Sequence, residues 1–358
     1  MRSDGERVFG LLDMDAFYFS CELARRPELR GKPVVVAGSG PRAVVTTASY
    51  EARRFGIFSA TPASRARRLC PEAIFLTPDF DHYRARSAEV MAVLADHVAA
   101  VEPMGLDEAY FDLSGIERWR AAARRLKAAV VERTALPCSI GLGPSKLVAK
   151  VASEVGKPDG FVTLTAAEAR ARFAAESPAL IPGIGPKTVD RLARHGIDRL
   201  DRLAATPESR LAELFGARLG PHLARLARFE DDRPLETARV RKSESRERTF
   251  DRDLRGLAEL APVLERLAGE LCAELTHHRR SGRTIAIKVR FDDFSTVTRA
   301  RTIDAPTADP ATVGAVALEL LRELAPDRPV RLLGVRVAGM GEERAAADQP
   351  PGQLALTL

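Results

Sequence analysis

The sequence predicts a multidomain α+β protein, and three observations carry that expectation. A chain of 358 residues is too long for one ordinary core and calls for about two to four folding units. The composition shifts at Leu180-Ile181-Pro182-Gly183-Ile184-Gly185-Pro186-Lys187-Thr188, where two glycines stand ahead of an apolar-periodic helix. From Ser243 onward the pattern reads strand, helix, strand, strand, helix, strand, a separate βαββαβ unit with a four-stranded sheet.

Composition bounds the partners and the compartment. With 45% hydrophobic and 29% charged residues the chain is a soluble globular protein rather than a disordered one. A net charge of +6 and a sequence pI of 9.3 suit a polyanionic partner, or serve solubility alone. Only eight of the 55 basic residues are lysines. Cys21, Cys70, Cys138 and Cys272 lie far apart, which argues against a zinc site or a disulfide framework and for a reducing compartment. Met1 to Arg7 is polar, no window approaches a membrane span, and a cytoplasmic location is expected.

Taken in order, Val8 to Leu12 reads as a buried strand ending in Asp13-Met14-Asp15-Ala16-Phe17-Tyr18, before a helix from Phe19 to Arg25. An acid at the end of a buried strand needs a cation or a donor nearby, because burying it unpaired costs several kcal/mol. Asp13 is therefore either an acid facing a cleft or a helix N-cap. Lys32 to Ala37 and Ala43 to Ala48 read as strands. A short helix within Ser49 to Gly56 puts Tyr50 and Arg53 on one face, where a hydroxyl and a guanidinium suit phosphate oxygens; pairing of Arg53 with a nearby acid is the alternative. Ala63 to Leu69 is helical, Ala73 to Leu76 a strand, and Tyr83 to Ala100 a long amphipathic helix.

The stretch Val101 to Leu113 sets Asp107 and Glu108 side by side in an apolar, strand-prone segment. Neighbouring side chains of a regular strand point to opposite faces, so the two share a site only if the backbone turns, which Gly105 permits. A hairpin tip carrying both carboxylates is the expectation. Crowded carboxylates repel unless a cation neutralises them, and Mg²⁺ is commonly held by a few carboxylates with substrate phosphates completing its shell. A solvated turn is the other reading.

Beyond it, Glu117 to Arg133 reads as a helix and Cys138 to Gly143 as a strand leading into a helix from Ser145 to Val155. Gly141 to Lys146 lacks the spacing of a P-loop. Lys146, Lys150 and Lys157 fall close together, and Lys157 stands in the turn Gly156-Lys157-Pro158-Asp159-Gly160, placed for a phosphate or for solvent. The glycines of 180–188 suggest a helix-hairpin-helix, whose outward N–H groups contact a phosphate without reading a base, or a purely structural turn. Glu230 to Val240 reads as a linker. Arg241 to Phe250 is expected as a basic strand, followed by a helix from Leu257 to His278, strands at Thr284 to Phe291 and Thr296 to Ile303, a helix from Ala311 to Leu324 and a strand from Val330 to Val337.

Several of these motifs, in this order, resemble the Y-family of DNA polymerases, and most closely its bacterial DinB-type branch. The resemblance rests on Asp13 to Tyr18, Ser49 to Gly56, Asp107 to Asp112, Ser139 to Gly141, Ser145 to Lys150, Lys157 to Gly160, the Pro-Gly-Ile-Gly turn and Arg241 to Ser243. It implies a right-hand polymerase with the palm at 1–14 and 77–165, small fingers at 15–76, a helical thumb at 166–232, a linker at 233–242, a little finger at 243–340 and a flexible tail at 341–358. By motif position, Asp13, Asp107, Glu108 and the Met14 carbonyl resemble the ligands of two Mg²⁺ ions, with Mn²⁺ an alternative. Tyr50, Arg53, Lys157 and Thr47 resemble a triphosphate clamp, and Tyr18 the steric gate under the sugar.

DNA contacts are expected from Lys150, Gly183, Gly185, Lys187, Arg241, Lys242, Arg246 and Arg248. The implied activity is template-directed, low-fidelity translesion synthesis from deoxynucleoside triphosphates on primer-template DNA, by a monomer. Gln353, Leu354, Leu356 and Leu358 resemble a sliding-clamp peptide, with a frayed end as the alternative. Three features depart from the family pattern or bear on it: Gly105-Leu106 stands where many relatives have Ser-Ile, Phe19 replaces a small residue behind the gate, and Ser59 and Ala60 leave a small-residue roof. Two rival functions remain at this point, a non-catalytic adaptor of the same fold and a DNA-binding protein built on the helical hairpin alone.

Overall fold

The structure, a computed structural model, describes residues 7–238 and 240–340. The first apolar run forms β1 (Phe9–Met14), buried along its whole length, and a left-handed Ala16 (φ 44°) turns the chain straight into α1 (Phe17–Arg25). There follow β2 (Val34–Ala37), β3 (Val45–Ala48), α2 (Tyr50–Arg53), α3 (Ala63–Leu69) and β4 (Ile74–Leu76), whose strands make a small sheet in the order β3-β2-β4. The next helix, α4 (Phe80–His97), begins three residues ahead of the expected Tyr83. Asp79 supplies the reason by accepting the His82 N–H at 3.1 Å as an N-cap.

The chain continues through β5 (Val101–Pro103), β6 (Glu108–Asp112), α5 (Trp119–Thr134), β7 (Cys138–Gly143), α6 (Lys146–Gly156) and β8 (Phe161–Thr163). These strands complete a five-stranded sheet in the order β5-β6-β1-β7-β8 with β1 at its centre, antiparallel to β6 and β7. Leu12 and Met14 face a core shared with Tyr83, Met91 and Leu94 of α4 and Leu126 and Val130 of α5, whereas Leu11 packs on Ala149 of α6. Both faces of β1 are covered, which is why its sequence is a continuous apolar run rather than an alternating one. The short β8 pairs parallel to β7 and has no counterpart in the sequence pattern.

A helical unit follows, of α7 (Ala166–Phe173), α8 (Pro186–Ala193), α9 (Leu200–Ala205), α10 (Glu208–Phe215) and α11 (Leu219–Ala227). Its core of Leu192, Leu203, Leu211 and Leu223 also takes in Leu147 and Val151 of α6, so α6 belongs to two cores at once. The C-terminal unit contains β9 (Ser243–Leu254), α12 (Gly256–His277), β10 (Gly282–Phe291), β11 (Thr296–Thr307), α13 (Pro310–Leu324) and β12 (Val330–Met340). Its sheet, β11-β10-β12-β9, is antiparallel throughout, and Ile285, Ile287, Val289, Leu333, Val335 and Val337 cover one face against Leu260, Leu264 and Leu271 of α12.

The segment joining the helical and C-terminal units is pinned to the five-stranded sheet. Lys146 Nζ lies 2.7 and 2.5 Å from the two oxygens of Glu102, both side chains buried, and donates to Pro234 O at 3.3 Å. Glu102 also accepts the Glu236 N–H at 2.9 Å, and Asp231 accepts the Leu147 N–H at 3.0 Å. Lys146→Met leaves the Glu102 carboxylate buried without its counter-charge. Its unfolding free energy, measured by urea titration, is expected to fall by about 3–5 kcal/mol, with much of the loss recovered when Glu102→Leu is added.

Candidate active site

Backbone register brings the acids together. Asp13, the penultimate residue of β1, is paired with Glu108, the first residue of β6, and directly opposed residues of an antiparallel pair project on one face. Asp107 sits in the turn ahead of β6 and is released from strand alternation, as a hairpin tip requires. The turn is fixed on both sides. The Met14 N–H donates to Asp107 O at 2.8 Å, and Ser87 Oγ donates to Leu106 O at 2.6 Å, with Leu106 buried beneath. A side-chain carbon at Gly105 would meet Asp107 Oδ1 at 3.4 Å, ordinary contact, so the Gly-Leu departure leaves the acids in place. Asp13 is not an N-cap, because that position of α1 belongs to Ala16. Burial raises the Asp107 carboxyl above its ordinary range, and the charges of Asp13 and Glu108 add to the rise.

Helix α6 supplies the balancing charge. Lys150 Nζ donates to Asp13 Oδ2 at 2.9 Å and to Glu108, while Lys157 Nζ lies 2.8 Å from Asp13 Oδ1 and 3.0 Å from Glu154. Burial pulls both ammonium groups down, but Asp13 outweighs it with Glu108 at Lys150 and Glu154 at Lys157, and both are raised. Lys150, expected as a DNA contact, is engaged here with the acids. Its position on the sheet-facing side of α6 makes it the bridge between two acids rather than part of an open basic surface. The approach that allows this depends on Gly141, where a side-chain carbon would lie 2.1 Å from Ala149 O and Ser153 N. Among the described residues no three His, Cys, Asp or Glu side chains are gathered as a metal-ligand cluster, and Asp13 and Glu108 carry ammonium groups. The carboxylates of Asp13, Asp107 and Glu108 themselves offer the hard oxygen donors that suit Mg²⁺.

The remaining polar residues gather beside the acids, where Arg53, Lys157 and Asp15 lie within electrostatic reach of Tyr50. Arg53 lies 4.7 Å over the Tyr50 ring and donates from Nε to Ala48 O at 3.1 Å, while Thr47 is buried on β3. The Tyr50 hydroxyl is buried with no hydrogen-bond partner among the described residues, an orphan that a phosphate oxygen would satisfy. Sequence reasoning gave Asp15 no role, yet it organises this end of the site. It is buried, accepts Ser139 Oγ at 2.9 Å and the Asp159 N–H at 2.8 Å, and so fixes the turn that presents Lys157. Its place in the same short motif as Asp13 was the available signal.

Tyr18 stands within electrostatic reach of Asp107. Its hydroxyl is held up by burial and by the charge of Asp107, and its ring lies 4.7 Å from that of Tyr83 and 5.8 Å from Phe80. Phe19 packs with Leu29 and Val34 into the three-stranded unit, away from the gate.

The nucleic-acid candidates divide. Ile181 and Ile184 are buried, which leaves Gly183 (φ 92°), Gly185 and Lys187 exposed at the start of α8, whose first turn has no side-chain cap. Lys242 is exposed at the entry to β9, and Arg241 pairs with Glu244 at 2.7 Å. Arg246 and Arg248 do not lie on the open face of the C-terminal sheet. Their partners are Val335 and Leu333, on the helix-covered face, and Arg246 bonds Glu274 of α12 at 3.0 Å. Period-two alternation gives the open face instead to Ser243, Ser245, Ala286, Lys288, Thr298, Gly334 and Arg336. Gln353, Leu354, Leu356 and Leu358 lie outside the described residues. No helix among the described residues is long and apolar enough to cross a membrane.

The impB/mucB/samB family model matches residues 12–154 and the model of that family's C-terminal domain residues 241–356. The chain is 43% identical over 337 residues to a DNA polymerase IV of Streptomyces coelicolor, covering 92% of this chain and 70% of that one. It is 43% identical over 343 residues to the DNA polymerase IV of Halorhodospira halophila, covering 94% and 96% respectively. Among solved structures it is similar to a Y-family DNA polymerase chimera, Dbh-Dpo4(243-245)-Dbh, with a TM-score of 0.83 at 26% identity over 92% of this chain and 98% of that one.

The raised carboxyl of Asp107 has a measurable consequence. Its proton leaves the unfolded chain near 3.8 but is held to higher pH in the fold, so stability is lost as pH rises through that window. In the presence of a chelator, Asp107→Asn is expected to unfold at a higher urea midpoint than the parent at pH 7. The gap should close as the pH is lowered toward 3.8.

Proposed function

Because the chain belongs to the impB/mucB/samB family, the Y-family of DNA polymerases in its DinB-type branch, we propose that it extends a primer 3′-OH on a DNA template and tolerates damaged template positions. The observation that supports this best is the register pairing of Asp13 with Glu108, Asp107 beside them, with Lys150 and Lys157 on these acids and the nearby Tyr50 hydroxyl buried without a hydrogen-bond partner among the described residues.

Each residue's part follows from its place. Asp13, Asp107, Glu108 and the Met14 carbonyl would hold two divalent ions, Mg²⁺ or Mn²⁺, which when bound supply Lewis-acid activation of the 3′-OH and charge neutralisation at the leaving pyrophosphate. Tyr50, Arg53 and Lys157 bind triphosphate oxygens, the hydroxyl by hydrogen bonding and the cations by charge. Asp15 keeps Lys157 in reach through the backbone of its turn. Tyr18 excludes a 2′-hydroxyl. Ser59 and Ala60 are exposed, and Ser59 Oγ bonds Thr46 O at 2.8 Å, which leaves the roof over the base pair thin, as low-fidelity bypass of bulky lesions needs.

In this reading the five-stranded unit is the palm, the three-stranded unit the fingers, the helices of 166–232 the thumb and residues 243–340 the little finger. The thumb turn at Gly183 and Gly185 and the open face of the last sheet, with Lys288 and Arg336, hold the duplex through its phosphates. The adaptor alternative requires loss of the acids, all of which are present. The DNA-binding alternative leaves the acids and the residues beside them without a purpose.

Asp107→Ala or Glu108→Ala is expected to abolish primer extension while duplex binding persists. Gel-shift and extension assays on the same preparation check this, and retained extension with metal present would refute the metal-ligand assignment. The tail residues Gln353, Leu354, Leu356 and Leu358 fit a peptide that docks on the sliding clamp (the β subunit), each fully buried leucine contributing about 1.5–3 kcal/mol before the cost of ordering. Deleting 353–358 should leave single-nucleotide insertion unchanged and remove clamp stimulation of longer synthesis; equal stimulation of both forms would overturn the docking role.

A further inference from the structure

Tyr18 can reject a 2′-hydroxyl only if its ring cannot recoil. The ring is half-buried among three aromatic rings: Phe17, its buried neighbour in the chain, at 5.4 Å, and two from α4 of unlike character. Phe80 meets it edge-on at 5.8 Å but is 42% exposed, free on one side. Tyr83 lies at 4.7 Å with its plane tilted by 31°, and it is fully buried. A buried ring in van der Waals contact transmits a push to whatever holds it, because a close-packed interior gives little. What holds Tyr83 is unusual for a site among aromatic rings. Its hydroxyl donates to Glu22 Oε1 at 2.7 Å, and Glu22 is a carboxylate with no exposed surface.

That carboxylate is fixed in turn. Arg25 donates to both Glu22 oxygens, at 2.6 and 3.2 Å, Arg26 lies 3.6 Å from Oε2, and the outer nitrogen of Arg25 reaches Asp79 at 2.9 Å. Asp79 caps α4 and accepts the Tyr83 backbone N–H on its own carbonyl at 3.0 Å. Tyr18 and Glu22 stand one turn apart on α1, as Asp79 and Tyr83 do on α4, so the two helices are locked by a closed circuit running Tyr18, Tyr83, Glu22, Arg25, Asp79 and back to Tyr83. A buried carboxylate carrying this many donors is costly to assemble, and the core beneath the rings would be as well filled by an apolar side chain. The circuit's distinctive effect is to fix the position of one ring.

We propose that Tyr83 and Glu22 are positioning residues for sugar selection, forming a rigid backstop that keeps Tyr18 from yielding to a ribonucleotide. The proposal rests on the reading of Tyr18 as the gate. Neither residue touches the nucleotide; both act through the Tyr18 ring.

Tyr83→Phe keeps the ring and removes only the bond to Glu22, and Glu22→Gln keeps the shape and removes the charge. For each, single-nucleotide incorporation of a ribonucleotide and of the matching deoxynucleotide is compared with the parent, beside Tyr18→Ala. Ribonucleotide kcat/KM is expected to rise about tenfold in Tyr83→Phe, the scale of one hydrogen bond to a charged group. A gain of this kind is not what a merely loosened fold produces. Added to Tyr18→Ala, Tyr83→Phe should change the ribonucleotide-to-deoxynucleotide ratio no further, because the ring it supports is gone. If Tyr18→Ala relaxes selection but both Tyr83→Phe and Glu22→Gln leave the ratio at the parent value, the backstop is refuted and the gate stands. If Tyr18→Ala itself leaves the ratio unchanged, the gate assignment and the proposal both fall.

Discussion

Three carboxylates at one end of one sheet repel each other, and the structure around them is arranged to offset that repulsion. Asp13, Asp107 and Glu108 are brought together by strand register and a pinned turn, and burial makes their mutual repulsion worse. The counter-charge has to come from an element able to approach the same end of β1, and α6 does so because Gly141 on β7 leaves no side chain in its path. Once α6 lies there, Lys150 falls between Asp13 and Glu108, and the turn at its end carries Lys157 onto Asp13. The two ammonium groups offset part of the negative charge of the three carboxylates, and Asp107, which neither of them reaches, keeps its raised carboxyl.

The same helix explains why the units are coupled. One face of α6 serves the sheet through Ala149 and Lys150, another the helical unit through Leu147 and Val151, and its first residue, Lys146, holds the connecting segment through Glu102. A single helix thus registers the acids, the helical unit and the path of the chain toward the C-terminal sheet. Lys146 and Lys150 are four residues apart on one face, so the clasp on the linker and the bridge between the acids are successive turns of one row.

Most of the architecture was legible in the sequence because its signals are local. The run Val8 to Leu12, the alternation after Ser243 and the paired glycines at 183 and 185 each state an element without reference to the rest. What was not legible depends on partners distant in the chain. The short β8 has too few residues to show a period and is made a strand by β7 alone. Lys150 and Arg246 carry the charge of nucleic-acid ligands, but which side of a helix or strand they occupy is decided by the elements packed against them. Asp15 and Glu22 are the instructive cases. Asp15 takes its donors from Ser139 and Asp159, and Glu22, though paired locally with Arg25, also accepts the Tyr83 hydroxyl from 61 residues away, so the sequence around each gave no sign of the burial that these distant partners impose.

Two ion pairs of different electrostatic character bear on the C-terminal unit, one joining it to the three-stranded unit and one holding the segment that leads to it. Arg42, on the loop after β2, meets Asp253 of β9 at 2.6 Å, with both side chains roughly a quarter exposed, and holds the Asp253 carboxyl below its ordinary range. Glu102 and Lys146, at 7–9% exposure, are shielded from solvent. Salt screens the first pair and hardly touches the second, since mobile ions reach only charges that face water. Desolvation makes the buried pair costly to break, whereas an exposed pair opens for about 1 kcal/mol or less. The connecting segment is therefore fixed on the five-stranded unit up to Glu236 by a buried pair, while the pair between the last sheet and the small three-stranded unit is the more readily screened of the two.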